Sequence, residues 1–96
     1  MRISKTQKDV LLVLYHILSK GVLRPIPSAD LLAMINSSRD KALAASNFRV
    51  SCHTLADNGL IQLTRGSGLQ LQWQLTQEGI KMTTPLYAAW INPLKT

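Results

Sequence analysis

Ninety-six residues, 46% of them hydrophobic and only 17% charged, make one small globular domain and exclude a disordered chain. Eleven Lys and Arg against five Asp and Glu leave a net charge of +6, which favours a polyanionic partner, nucleic acid before membrane. A lone cysteine, Cys52, excludes an intrachain disulfide and a thiolate metal cluster and fits a reducing cytoplasm.

The basic excess is spread from Arg2, Lys5 and Lys8 to Lys81 and Lys95 without a run of like charges, so a charged face on a folded domain is expected rather than a basic tail. The longest apolar run, "VLLVLY" at 10–15, is too short to span a bilayer, and no signal-peptide pattern accompanies it.

In chain order, "SKTQKDVLLVLYHILSKG" carries the first helix. Ser4 or Thr6 can cap it, with Gln7 or Asp9 three residues on, and Gly21 stands where a left-handed stop belongs. Ile3, Val10, Leu14, Ile17 and Leu18 share one face, while Leu12 and Tyr15 fall opposite. A helix apolar nearly all round is buried on both sides, and here the second side needs the C-terminal segment or another subunit. "LRPIP" breaks the helix, and Ser28 opens a shorter one, "SADLLAMIN", with Leu31, Leu32 and Ile35 inward. "SSRDKALAA" reads equally as loop, helical turn or extension of a neighbour.

A third helix is expected over 46–58, capped by Ser46, because Leu43 is out of phase with the buried stripe of Phe48, Cys52 and Leu55. Gly59 ends it, and "LIQLTR" continues as a strand. After the turn "GSG", "LQLQWQLT" alternates, with Leu69, Leu71, Trp73 and Leu75 on one face and Gln70, Gln72 and Gln74 on the other. Thr76 caps a further turn, "QEGIKM", and beyond Thr84-Pro85 the segment "LYAAWIN" forms a last short helix, pairing Leu86 with Trp90 and Tyr87 with Ile91.

The stretch "TLADNGLIQLTRGSGLQLQWQLTQEG", with Leu55 four residues before Gly59, a glycine-containing hairpin and "LTQEG" leaving the second strand, resembles the core of bacterial winged-helix DNA-binding proteins of the MarR-like and PadR-like kind. The likeness in element order covers about residues 6 to 82, and the motif-bearing part is 46–79. It implies an α+β, mainly α fold: a winged helix-turn-helix with a three-helix core, a two-stranded β wing and a short C-terminal helix. One domain, 1–96, is expected, with core 4–82 and a segment 83–96 for packing or dimerisation. The family's turn between second and third helices is tight, whereas "NSSRDKALAA" separates Ile35 from Ser46 here, which leaves the docking angle on DNA open.

A helix lying in the major groove must be apolar behind and polar to basic in front, where base edges and thymine methyls wait. With Phe48, Cys52 and Leu55 inward, the outward side chains are Ser46, Asn47, Val50, His53 and Thr54, with Arg49 on the flank, and these six are the candidate base contacts. The wing tip places Arg65, Gly66 and Ser67 for the sugar-phosphate backbone, and Arg39 and Lys41 are candidate phosphate clamps. Leu12, Tyr15, Leu86 and Trp90 are candidates for a homodimer interface.

Plainer readings stand beside these. The outer helix face is as readily a solvated surface, Cys52 a small core hydrophobe, and the tryptophans core fillers. His53 with His16 makes no metal site, and the carboxylates Asp9, Asp30, Asp40, Asp57 and Glu78 show no catalytic pairing, so neither cofactor nor enzymatic activity is expected. The favoured function is sequence-specific binding of double-stranded DNA by a small bacterial transcriptional regulator in the cytoplasm, plasmid- or phage-borne by its size. The alternatives are a winged-helix module that binds protein, and an accessory protein of plasmid partition or replication.

Overall fold

The computed structural model describes residues 2–66, 68 and 70–91. Helix α1 (Lys5–Ser19) starts on a reciprocal cap: Ser4 Oγ accepts from the Gln7 N–H at 3.2 Å, and Gln7 Oε1 accepts from the Ser4 N–H at 3.0 Å. Of the two expected caps, Ser4 is the one used. Strand β1 (Ile26–Pro27) runs straight into helix α2 (Ser28–Asn36), and helix α3 (Ala45–Asp57) follows after a loop. Strands β2 (Ile61–Arg65) and β3 (Leu71–Leu75) form the hairpin, and helix α4 (Gln77–Ile91) closes the described chain.

The sheet has three antiparallel strands in the order β1-β3-β2, one more than the sequence suggested. Ile26 opposes Trp73 on one side of β3 and Leu63 opposes it on the other. Between two prolines Ile26 is held extended, and Pro27, with no N–H to donate, sits on an edge strand where proline is tolerated. Ser28 is the first residue of α2 rather than its cap, which is Pro27; its hydroxyl is used elsewhere, accepting a 2.7 Å hydrogen bond from the indole Nε1–H of Trp73. That bond satisfies the polar edge of the largest buried side chain.

Between α2 and α3 the ambiguous segment is a loop. Leu43 is buried, and its N–H donates to Asn36 Oδ1 at 2.7 Å. This anchor draws the chain inward, so Ala44, extended at ψ 141°, becomes the N-terminal flank of α3. Ser46 therefore lies inside the first turn and is not the cap that was expected. At the other end Gly59, with φ 76°, permits the paired bonds from Gly59 N–H to Ala56 C=O and from Leu60 N–H to Leu55 C=O. Leu55 and Leu60, both buried, close the turn from beneath.

The hairpin alternates less cleanly than its sequence. Trp73 is fully buried, but Leu71, Leu75, Gln72 and Gln74 are all partly covered. Gln74 Nε2 donates to the Leu23 carbonyl at 2.7 Å, so the loop before β1 folds over the polar face of β3. Leu69 lies outside the described residues.

The C-terminal segment departs most from expectation. It is one helix that runs through Pro85, not a turn "QEGIKM" and a separate short helix beyond Thr84-Pro85. Thr76 Oγ1 accepts from the Gly79 N–H at 3.0 Å and donates to the Gly59 carbonyl at 2.6 Å, joining the start of α4 to the end of α3. Gly79 lies against the backbone of Leu60, whose carbonyl oxygen a Cβ at this position would run into. From there α4 packs along α1. Tyr15 and Tyr87 pack with ring centroids 4.7 Å apart at a 40° tilt, Thr84 Oγ1 donates to the Ile80 carbonyl at 2.7 Å and can accept from Tyr15 Oη at 3.2 Å, and His16 Nδ1 lies 2.8 Å from Tyr87 Oη. The second flank of α1 is thus covered by the same chain, and Leu12 is buried. Its expected place in a dimer interface is corrected accordingly, while Tyr15 and Leu86 are half-buried.

Candidate nucleic-acid interface

Helix α3 is held by Phe48, Cys52 and Leu55, which are at most 4% exposed, with Ser51 also buried beside them. Burial in this apolar stripe pushes the Cys52 thiol up to about 12, because a thiolate there would lose its water. The thiol stays neutral and serves as core. Opposite, Ser46, Asn47, Arg49, Val50 and His53 are exposed and Thr54 is half-buried. Val50 is 64% exposed, an aliphatic side chain left in solvent on an otherwise polar face.

Two segments adjoin α3 in the chain. On one side is the hairpin: the His53 ring meets the edge of Trp73, centroids 5.3 Å apart and nearly perpendicular, so His53 stands where α3 and the sheet join. At the hairpin's end Arg65 is exposed, the Gly66 N–H donates to the Gln70 carbonyl at 2.7 Å, and Gly68 takes a left-handed φ of 64°. Ser67 lies outside the described residues. Gly66 has no room for a side chain without displacing the amide of Gln72.

The other neighbour is the loop before α3. Arg39 donates from Nη1 to Asp9 Oδ2 at 2.8 Å, with both side chains about three-quarters buried, so its guanidinium ties the loop to α1. This tie reduces its freedom to clamp a phosphate. Lys41 is exposed and borders a groove with Lys5, Ser38 and Asp40. Lys5 belongs to this basic cluster, a neighbour that helical periodicity has no means of revealing, since the two lysines meet only once α1 and the loop are packed. Among the described residues, no carboxylate pairs with Arg49, Arg65 or Lys41.

Three packed helices, with a three-stranded sheet whose hairpin flanks the exposed face of the third helix, define the architecture. A proposed DNA-binding protein from Ralstonia eutropha superposes with a TM-score of 0.72 over 90% of this chain and 99% of its own, at 22% identity. The fold is a winged helix. ZitR of Lactococcus lactis, a zinc-responsive MarR family member, matches with a TM-score of 0.74 at 16% identity over 98% of this chain and 58% of its own. A proposed transcriptional regulator of Thermoplasma acidophilum matches with a TM-score of 0.57 at 19% identity, covering 90% of this chain and 87% of its own. No protein-family model matches the sequence, and no curated protein does. In winged-helix terms α3 is the third helix of the core, β2 and β3 form the wing, and β1 is the short strand that completes its sheet. Among the described residues no His, Cys, Asp and Glu side chains gather as a metal site, and no helix is long and apolar enough to cross a membrane.

Proposed function

We propose that this protein binds double-stranded DNA in a sequence-specific manner and acts as a small bacterial transcriptional regulator, not as an enzyme. The carrying observation is the division of α3: Phe48, Cys52 and Leu55 are buried, while Asn47, Arg49 and Val50 are exposed on one outer face, with His53 exposed at its edge against Trp73 of the wing. That face offers an amide for adenine, a guanidinium for guanine and a methyl surface for thymine. Arg65 at the wing, and Lys41 sharing a groove with Lys5 in the loop before α3, are exposed cations available to phosphates, and the net charge of +6 favours the encounter. The winged-helix relatives described as DNA-binding or regulatory support the reading.

The protein acts in the cytoplasm as a homodimer. Trp90 and Ile91, each 51% exposed at the end of α4, and Met34, 42% exposed on α2, leave apolar surface for a second copy. Selection of bound fragments from genomic DNA, followed by footprinting, tests the reading directly. A two-fold site with half-sites roughly 10 base pairs apart is expected. Fluorescence anisotropy with the selected site at two salt concentrations should show affinity falling steeply with salt, and salt-independent binding would contradict the proposal.

A further inference from the structure

Helix α3 ends in the dipeptide Asn58-Gly59, exposed to water and not among the candidate DNA contacts. Asparagine followed by glycine is the pairing most open to spontaneous loss of the side-chain amide, because glycine has no side chain to obstruct its own nitrogen. In that reaction the Gly59 amide gives its proton to hydroxide, and its nitrogen attacks Asn58 Cγ. An N–Cγ bond forms, the Cγ–Nδ2 bond breaks, and ammonia departs with a proton taken from water. The five-membered imide then adds water at either carbonyl. One opening leaves aspartate at position 58; the other leaves isoaspartate, with Cβ inserted into the main chain.

The backbone of this turn holds the two reacting atoms apart. Asn58 has φ −88° and ψ 3°, which turns the Gly59 nitrogen away from the Asn58 side chain. Substituents on Cα stand roughly 120° apart about the Cα–C bond, so ring closure needs ψ to rotate by about that angle. Hydrogen bonds on both sides resist the rotation. The Gly59 N–H donates to the Ala56 carbonyl and the Leu60 N–H to the Leu55 carbonyl, each at 3.0 Å. Asn58 Nδ2, the leaving group, donates to the Thr54 carbonyl at 2.9 Å, and Thr76 Oγ1 clamps the Gly59 carbonyl at 2.6 Å. Gly59 takes φ 76°, a conformation that glycine adopts readily, so the residue that makes the turn possible is also the one that makes it reactive.

We propose that Asn58-Gly59 is a latent deamidation site, inert while the turn that ends α3 is closed and reactive whenever that turn opens. The isoaspartate product is a one-way record of opening. With Cβ in the main chain, the N–H groups of Gly59 and Leu60 no longer meet their carbonyls on α3, and buried Leu60 loses its anchor. The site does not depend on the DNA-binding reading.

The full chain, folded and in guanidinium chloride, is incubated in mildly alkaline buffer, and the fragment carrying Asn58 is followed by mass spectrometry that separates aspartate from isoaspartate. A synthetic peptide of residues 55–62 in the same buffer without denaturant gives the unconstrained rate. The folded chain is expected to react at least roughly tenfold more slowly than the peptide or the unfolded chain. Thr76→Val, which removes the clamp on the Gly59 carbonyl, should raise the folded-state rate severalfold, and Thr76→Ser, which keeps a hydroxyl, should restore it. A cooperative urea transition verifies that each variant is folded. Equal rates for folded chain and peptide overturn the proposal, and so does a folded Thr76→Val variant that reacts no faster than wild type.

Discussion

Cys52 is a direct probe of how α3 is seated. Its thiol, held neutral by burial well above its ordinary value of 9.0, should resist a thiol reagent at pH 8 in the folded protein and react at once in denaturant. The same displacement fixes a pH dependence. The folded state keeps the proton to about pH 12, while the unfolded chain releases it near 9.0, so the unfolded state binds fewer protons across that interval. Stability from this group is complete below pH 9.0 and falls as pH rises towards 12; urea midpoints for wild type and Cys52→Ala across that range would show the difference. Gly79 makes a second local case. Alanine normally favours a helix over glycine, yet here its methyl would meet the Leu60 carbonyl, and Gly79→Ala should cost about 1–3 kcal/mol in urea unfolding.

Among the elements, α4 and the wing carry the clearest consequences. Pro85 is exposed inside α4 and has no N–H to reach the carbonyl one turn back. Because the helix continues regardless, held by Tyr87 and Thr84 on α1, Pro85→Ala should stabilise the protein by on the order of 1–3 kcal/mol, measured by urea unfolding. A loss of stability would mean that the helix depends on its proline. On the proposed DNA complex, α3 and the wing should separate in behaviour. Arg49→Glu should weaken binding to the selected site by on the order of tenfold or more and relax its sequence preference. Arg65→Glu should weaken all sequences alike and lower the slope of affinity against salt by about one ion. Anisotropy with specific and random duplexes distinguishes the two patterns.

For the whole molecule, the question is what the uncovered end of α4 meets. The aromatic group of Tyr15, His16, Tyr87 and Trp90 closes α1 against α4 within the chain, and among the described residues Trp90 and Ile91 at its outer rim are exposed. The proposed dimer, if built there, should dissociate on Trp90→Ala combined with Ile91→Ser, seen by sedimentation as a monomer where wild type sediments as a dimer. Trp90→Ala also removes packing against His16 and Tyr87, so Ile91→Ser alone, which leaves that group intact, serves as the second variant and should weaken the dimer with little change in urea unfolding. On palindromic DNA the variant should lose cooperative occupation of the second half-site.

Local signals in this chain were strong wherever the backbone itself needed a particular residue. Ser4 with Gln7, Gly21, Gly59 and Thr76 mark element ends because capping and left-handed turns depend on residues only a few positions apart. The stripe of Phe48, Cys52 and Leu55 likewise follows from helical spacing, and with it the free face of α3. Choices among distant partners were not written in spacing. Ile26 became a strand because Trp73 offered it an edge, Ser28 left the capping role to hold that indole, Arg39 found Asp9, and α4 ran through Pro85 because α1 lay alongside. Each of these is settled by packing between segments far apart in the chain, where buried contacts outweigh the preference of any single residue.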